Sequence, residues 1–330
     1  MPATSPQPKD LHIDQLLTQL SIMYINETTG FVADKVFPIV PVRKQSDKFA
    51  IYEKGQFFRN VAQKRAPGSR STGAPYATKT DSYFCENYAT HALVTDELRA
   101  NADRPFDPDA TATKLVVNWL LLAREVVFAS DFFKDSVWET DLTGTAGSGT
   151  PPAPGPGQFL YWSDYVNSDP IGDIDRARDT AYATTATELD QLLISRAVWT
   201  KLKHHPDLIE RIKYTQRGVL NLDLVADLLD LRRILVAKTI QVTSAPGAST
   251  DTFAPIFGKH ALLYYAPDNP MLNTPSAGYT FTWQPMGGLS YVRRLRLEPE
   301  MTDMIEGHTF FDQKQVSKDC GVFFKNAIAS

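Results

Sequence analysis

The segment 109–133, DATATKLVVNWLLLAREVVFASDFF, limits the fold more than any other part of the chain. Asp107 stands before it as an N-cap, and Pro108 takes the first helical position, where a missing N–H costs nothing. Leu115, Trp119, Leu122 and Val126 recur at helical spacing and form one row. Val116, Leu120, Ala123 and Val127 form the adjacent row, with Lys114, Asn118 and Glu125 on the opposite side. The spacing predicts a single helix packed through Leu115, Trp119, Leu122 and Val126. At about 1.5 Å per residue it is on the order of 35–40 Å long, well beyond the average globular helix of about 11–12 residues.

Around this rod the elements are shorter. The first forty residues read as an arm: a Pro-rich start, a short amphipathic stretch at 16–23, then FVADKVFPIVPV, whose Pro38 and Pro41 confine it to a sheet edge or a surface. TGTAGSGTPPAPGPG at 143–157 reads as a flexible loop. Helical patterning returns from Ile171. LDQLLIS fits a strand, and Ser195 is placed to cap a helix through Lys203. Residues 222–231 read as a short helix and ILVAKTIQVT (234–243) as a strand, followed by strand-like HALLYYAP, YTFTW, LSYVRRLRL and GVFFKNAI. Helices and strands interleave without a βαβ rhythm, which makes the fold class α+β and excludes a doubly wound sheet.

Charge is divided unevenly. Residues 43–70 hold eight basic side chains (Arg43, Lys44, Lys48, Lys54, Arg59, Lys64, Arg65, Arg70) against Asp47 and Glu53, a local +6. The chain total is −4, so the remainder carries −10. A total of that sign argues against a dedicated nucleic-acid binder. The basic segment is either a solvated loop or an arm that lies on an acidic surface. Its texture favours the arm, because Phe49, Ile51, Tyr52, Phe57 and Phe58 are mixed with the charges before Pro67, Gly68, Gly73 and Pro75. Apolar alternation before Gly55 and again in TDSYFCENYATHALVT predicts a long hairpin with a Gly/Pro tip, marginally stable unless it rests on something.

The residues that usually carry chemistry are sparse. No phosphate-binding Walker loop, GxGxxG, HExxH or GxSxG occurs in the sequence. Asp173, Asp175 and Asp179 suggest a calcium loop, but Ala177 and Arg178 occupy positions that such a loop needs for a ligand and a turn glycine. Adjacent His204 and His205 cannot face one way on a helix and suit a helix C-terminus instead. Cys85 and Cys320, the two cysteines, are too few for a disulfide scaffold and read as buried thiols, with a bridge between copies as the alternative. The N-terminus lacks a signal pattern and no apolar run reaches the roughly 18 residues of a bilayer span, so a cytosolic, reducing origin and no membrane partner are expected. No catalytic residue, cofactor or metal ligand is assigned.

Several strings taken in order carry a resemblance: FVADKVFPIVPVRKQSDKFAIYEKGQFFR, the RAPGSR turn, DSYFCENYATHALVTDELRANADRPFDPD, and LISRAVWTKLKHHPDLIERIKY with the helix and strand after it. The chain resembles the major capsid proteins of tailed double-stranded DNA bacteriophages, which have the Hong Kong 97-type fold, from about residue 26 to 328. The resemblance implies an N-arm at 1–45, an extended E-loop hairpin at 46–88 that reaches over a neighbouring copy, and a P-domain at 89–179 with its spine helix at about 109–133. It further implies an axial A-domain at 180–285 and C-terminal strands at 286–330 returning to the P-domain. Lys48, Lys54, Phe57, Phe58, Arg59, Lys64, Arg65 and Arg70 would then be the E-loop residues that contact neighbouring copies. Those copies would form hexamers and pentamers of an icosahedral virion shell built in the host cytoplasm around double-stranded DNA. Portal and decoration proteins are implied partners, and the chain has no room for a scaffold-like extension, so a separate scaffolding protein is expected. The lysine crosslink of some members is not carried over, since Lys48, Lys54 and Lys64 do not align with it. Two other readings remain: an encapsulin-like nanocompartment shell and an α+β hydrolase with an unrecognised triad.

Overall fold

A computed structural model describes residues 26–73, 77–102, 106–212, 221–245, 247–269, 274–286, 288 and 291–329. The amphipathic stretch 16–23 lies outside the described residues. In chain order the elements begin α1 (Ala33–Val36), β1 (Ile39–Val42), β2 (Ser46–Tyr52), α2 (Lys54–Phe57), β3 (Thr78–Phe84), β4 (Glu86–Thr95), α3 (Asp96–Ala100) and α4 (Pro108–Phe132). The middle comprises β5 (Thr140–Thr145), β6 (Gln158–Leu160), α5 (Pro170–Thr185), β7 (Gln191–Ser195), α6 (Arg196–Leu202), α7 (Pro206–Ile212), α8 (Leu222–Leu228), β8 (Arg233–Ala237), β9 (Ile240–Val242) and β10 (Phe253–Pro255). The chain finishes with β11 (Ala261–Tyr264), β12 (Gly278–Trp283), β13 (Tyr291–Leu297), β14 (Thr302–Gln315) and β15 (Gly321–Lys325).

Local chemistry sets the helix starts, at Asp107 and Ser195 as expected and at Asp169 in addition. The Asp107 carboxylate accepts from the Asp109 and Ala110 amides at 3.0 and 3.1 Å, with Pro108 opening α4. Asp169 caps α5 in the same way, with Pro170 behind it. The Ser195 hydroxyl accepts from the Val198 amide at the start of α6.

Two sheets organise the molecule. In one, β1, β12, β14 and β13 lie side by side and β4 joins the other edge of β14. Pro41 sits on β1, an edge strand paired only with β12, where its missing N–H leaves no ladder position empty. The second sheet runs β6-β5-β15-β11-β7-β8 and is covered on both faces. Leu192, Ile194, Leu263, Val322 and Phe324 face Ile174, Ala177 and Val198 from the helices. Leu193, Leu262, Tyr264 and Phe323 face the opposite way, onto Phe37, Phe128, Phe133 and Phe257. Two-sided burial explains why β7 and β11 read as unbroken apolar runs and not as alternations.

The long helix bridges the two. Ala112, Val116 and Leu120 are buried near its N-terminal half. Gly307 of β14 allows the close approach: a Cβ there would stand 2.5 Å from Val116 and 2.9 Å from Leu120. Phe128, at the other end, is part of the second core. The packing row therefore differs from the expected one. Leu115 and Trp119 are 40% and 39% exposed, Leu122 and Val126 are half-buried, and the buried stripe runs through Val116, Leu120 and Phe128. A helix apolar on more than one row does not reveal which row meets the sheet, and the bare backbone of Gly307 decides it. Glu125, placed on the polar side, is 1% exposed.

Other expectations also change. β13 and β14 lie in the sheet beneath α4, while the last strand, β15, lies between β5 and β11 of the six-stranded sheet and β12 sits in the five-stranded one. The single strand at 234–243 breaks at Lys238-Thr239 into β8 and β9, which belong to different sheets. The helix at 222–231 ends at Leu228, and the loop at 143–157 begins as the end of β5. The longest strand, β14, has no counterpart among the strands read from sequence.

Candidate inter-subunit surface

The basic segment begins from a fixed root. β2 and β3 pair antiparallel, Ser46 opposite Phe84 through Tyr52 opposite Thr78. At the base the Cys85 amide donates to the Gln45 carbonyl at 2.9 Å, and the Gln45 side-chain amide donates to the Cys85 carbonyl at 3.0 Å. The Phe84 amide donates to the Asp312 carboxylate on β14 at 2.9 Å. Tyr83 stacks on Phe281 with centroids 4.5 Å apart, and Phe49 packs on the same ring at 5.5 Å. Cys85 is fully buried in this cluster, and burial pushes its thiol up to about 12. Cys320 is also buried, so neither thiol is presented for a bridge between copies.

Further out the fastening changes from apolar to ionic. Lys54, on the one-turn α2, reaches Asp319 at 2.5 Å, and Lys79 reaches Glu53 at 2.8 Å. The Ala77 amide donates to Gln56 at 2.7 Å. Past α2 the described residues of the connection make local bonds, Ser69 to Ala66 and Thr72 to Gln63. Phe57 and Phe58 are 67% and 60% exposed. Lys48, Arg59, Lys64, Arg65 and Arg70 are exposed, and among the described residues their side chains have no ion pair. Of the eight expected contact residues, only Lys54 is committed to the subunit's own body. Asp175 and Asp179 on α5, and Asp223 and Asp227 on α8, are likewise exposed and unpaired among the described residues.

A second cluster carries little signal in the sequence. Asp303 on β14, its side chain 6% accessible, receives Arg99 at 2.8 Å, Arg294 and Arg296. These hydrogen bonds, chiefly from Arg294, hold its carboxyl down to about 2. Arg99 also grips Asp109, in the first turn of α4, with two bonds of 3.0 and 2.8 Å. Arg296 bonds Asp96 on α3 with both terminal nitrogens. The cluster locks α3, the start of α4 and edge strand β13 to β14. Its one sequence signal is Arg294 and Arg296 two apart on a strand, hence on one face.

Among the described residues one Ser–His–Asp grouping exists, with Ser168 at 3.0 Å from His205 Nε2 and Asp207 at 3.6 Å from Nδ1. Its hydrogen bonds run the wrong way for nucleophile activation. The Asp207 amide donates to His205 Nδ1, which therefore carries no proton, and the Ser168 hydroxyl donates to the Asp164 carbonyl at 2.6 Å. The proton then resides on Nε2, the atom that a triad needs as base. Burial also pushes His205 below its ordinary value, and His205 is fully buried. Among the described residues no group of three or more His, Cys, Asp or Glu is placed to hold a metal ion, and no helix is long and apolar enough to cross a membrane.

No protein-family model matches the chain. It is 25% identical over 281 residues to the major capsid protein of Burkholderia phage BcepMu, spanning 81% of this chain and 82% of that one. It is 24% identical over 330 residues to the major capsid protein of Pseudomonas phage JBD67, spanning 96% and 98%. Among solved structures, a phage-related protein from Bordetella bronchiseptica RB50 superposes with a TM-score of 0.68 at 22% identity over 92% of this chain and 93% of that one. The capsid of cyanophage P-SCSP1u gives 0.61 at 13% identity over 99% and 96%. The SrpI encapsulin of Synechococcus elongatus PCC 7942 gives 0.51 at 11% identity over 95% of either chain. The chain has the Hong Kong 97-type fold and is related over most of its length to phage major capsid proteins.

Proposed function

We propose that this chain is the major capsid protein of a tailed double-stranded DNA phage, a structural subunit whose copies form the hexamers and pentamers of an icosahedral head. One observation carries the reading: a ribbon fixed at its root by Tyr83, Cys85 and Phe281 presents Phe57, Phe58, Arg59, Lys64, Arg65 and Arg70 to solvent, the four cations without an ion pair among the described residues. A neighbouring copy supplies what is missing, and the −10 carried by the rest of the chain gives the attraction its direction. Many such contacts repeated around closed symmetry stabilise a shell without any one tight interface.

In this reading residues 1–45 are the N-arm, 46–88 the E-loop, 89–179 the P-domain, 180–285 the A-domain and 286–330 the C-terminal strands. Leu115 and Trp119, exposed on the spine helix, are then free for contacts between copies. The protein resides in the virion after assembly in the host cytoplasm, with scaffolding, portal and decoration proteins as partners and DNA enclosed without specific binding. Fold likeness to an encapsulin supports a second reading, a cargo-filled nanocompartment. Relatedness in sequence to phage capsid proteins favours the first.

The test is reversal of Arg59, Lys64 and Arg65 to Glu together. The chain should stay folded by circular dichroism while electron microscopy shows no shells, or shells only at low salt, because exposed charges are screened within about 10 Å at 0.1 M salt. Normal shells at every ionic strength would overturn the electrostatic role. Co-expression with neighbouring open reading frames separates the two shells: a unique portal vertex supports the virion, and uniformly cargo-filled particles support the nanocompartment.

A further inference from the structure

The N-terminal segment is held to the long helix by a carboxyl buried where a charge is costly. Glu125 of α4 is 1% exposed, and its Oε1 accepts from the Val32 amide and, at 2.8 Å, from the Ala33 amide at the start of α1. Its Oε2 is shielded from solvent and has no hydrogen-bond partner. One residue beyond those amides, Asp34, its side chain 29% accessible, places Oδ2 at 2.9 Å from Arg124. A buried polar atom without a partner costs about 1–3 kcal/mol. A proton on Glu125 removes the charge that burial at this place makes costly.

The charges around the pair do not balance it. Arg124, 4% exposed, is the cation paired with Asp34. Lys35 on α1 is exposed, and Arg233 of β8 donates instead to the Lys35 carbonyl at 2.8 Å, closing the end of α1. Two carboxylates therefore share one buried cation. Apolar packing fixes the segment on the same side: Phe37 meets Phe128 at 5.1 Å and Phe132 at 4.9 Å.

We propose that Glu125 carries a proton while residues 32–36 are seated on the long helix, so that its loss loosens the N-terminal segment. The inference is independent of the shell reading. Burial raises the carboxyls of both Asp34 and Glu125, the latter to about 7. With the folded value above the ordinary 4.5, the stabilisation is complete below 4.5 and lost as pH rises through about 7. One proton gives an opening equilibrium that grows up to about tenfold per pH unit between those limits and flattens above them.

Hydrogen exchange on the purified full-length chain, followed by mass spectrometry on peptides covering 31–37 and corrected for intrinsic rates, reads this directly. Protection should fall by up to about tenfold per pH unit from pH 5 to 7 and then level off. Glu125→Gln, neutral at every pH and able to keep both amide bonds, should show no such fall. Asp34→Asn, which removes a negative charge that favours the protonated Glu125, should move the fall to lower pH. A flat wild-type profile overturns the proposal, and so does Glu125→Gln with the wild-type slope or Asp34→Asn with an unmoved midpoint. Should Glu125→Gln fail to fold, the wild-type profile and Asp34→Asn still decide.

Discussion

The six-stranded sheet and the β2–β3 ribbon are built from similar residue types to opposite ends. In the sheet, β7 and β11 are buried along their whole length, and Leu193, Leu262 and Phe323 find partners on the second face as Leu192, Leu263 and Phe324 do on the first. The ribbon has a comparable supply of aromatics but buries them only at its root, around Tyr83 and Phe281, and leaves Tyr52, Phe57 and Phe58 in solvent. Where a region's apolar groups are satisfied within the subunit, substitution is felt as lost stability. Where they are not, it is felt in what the subunit binds.

The comparison is sharpest where the effects are largest. Phe324→Ala, in a fully buried position of the sheet core, should cost about 3–5 kcal/mol in denaturant unfolding, enough to leave a marginal domain unfolded. Phe281→Ala should cost about 3 kcal/mol or less, because its site opens onto the ribbon and can partly collapse. It should also release the ribbon, seen as faster proteolysis between residues 53 and 77. Equal stability losses for the two would erase the distinction.

Asp303→Asn tests the ion cluster through pH. The folded carboxyl lies near 2, below its ordinary 3.8, so its stabilisation is present above 3.8 and lost as pH falls through about 2. Thermal melts of the wild type should lose stability over that acid window, and the variant should lose less. At the smallest end, Arg59→Glu, Lys64→Glu or Arg65→Glu alone should change subunit stability by no more than about 0.5 kcal/mol, since each is exposed and unpaired. A large loss from any of them would mean that the tip serves its own subunit.

What the sequence made legible was local. Asp107 with Pro108 and Ser195 each satisfy amides a few residues away, and Pro41 excludes a central strand by its own covalent structure. β14 was hidden because its period is obscured by Asp303, Glu306, Gly307 and Asp312, residues that disfavour a strand in isolation. Two of these are explained only by something distant: Asp303 by Arg99, 204 residues away, and Gly307 by the helix that lies against it. Glu125 looked like a solvent-facing acid for the same reason, since the amides it holds lie 92 and 93 residues earlier. The ribbon's basic tip was readable because it has no distant partner among the described residues.

Whether a second copy is that partner is open to a single measurement. A photoactivatable cross-linking residue at position 58, illuminated in assembled material, should join copies into a covalent ladder on a denaturing gel. Monomer as the only product, with position 58 joined to its own chain, would contradict the account.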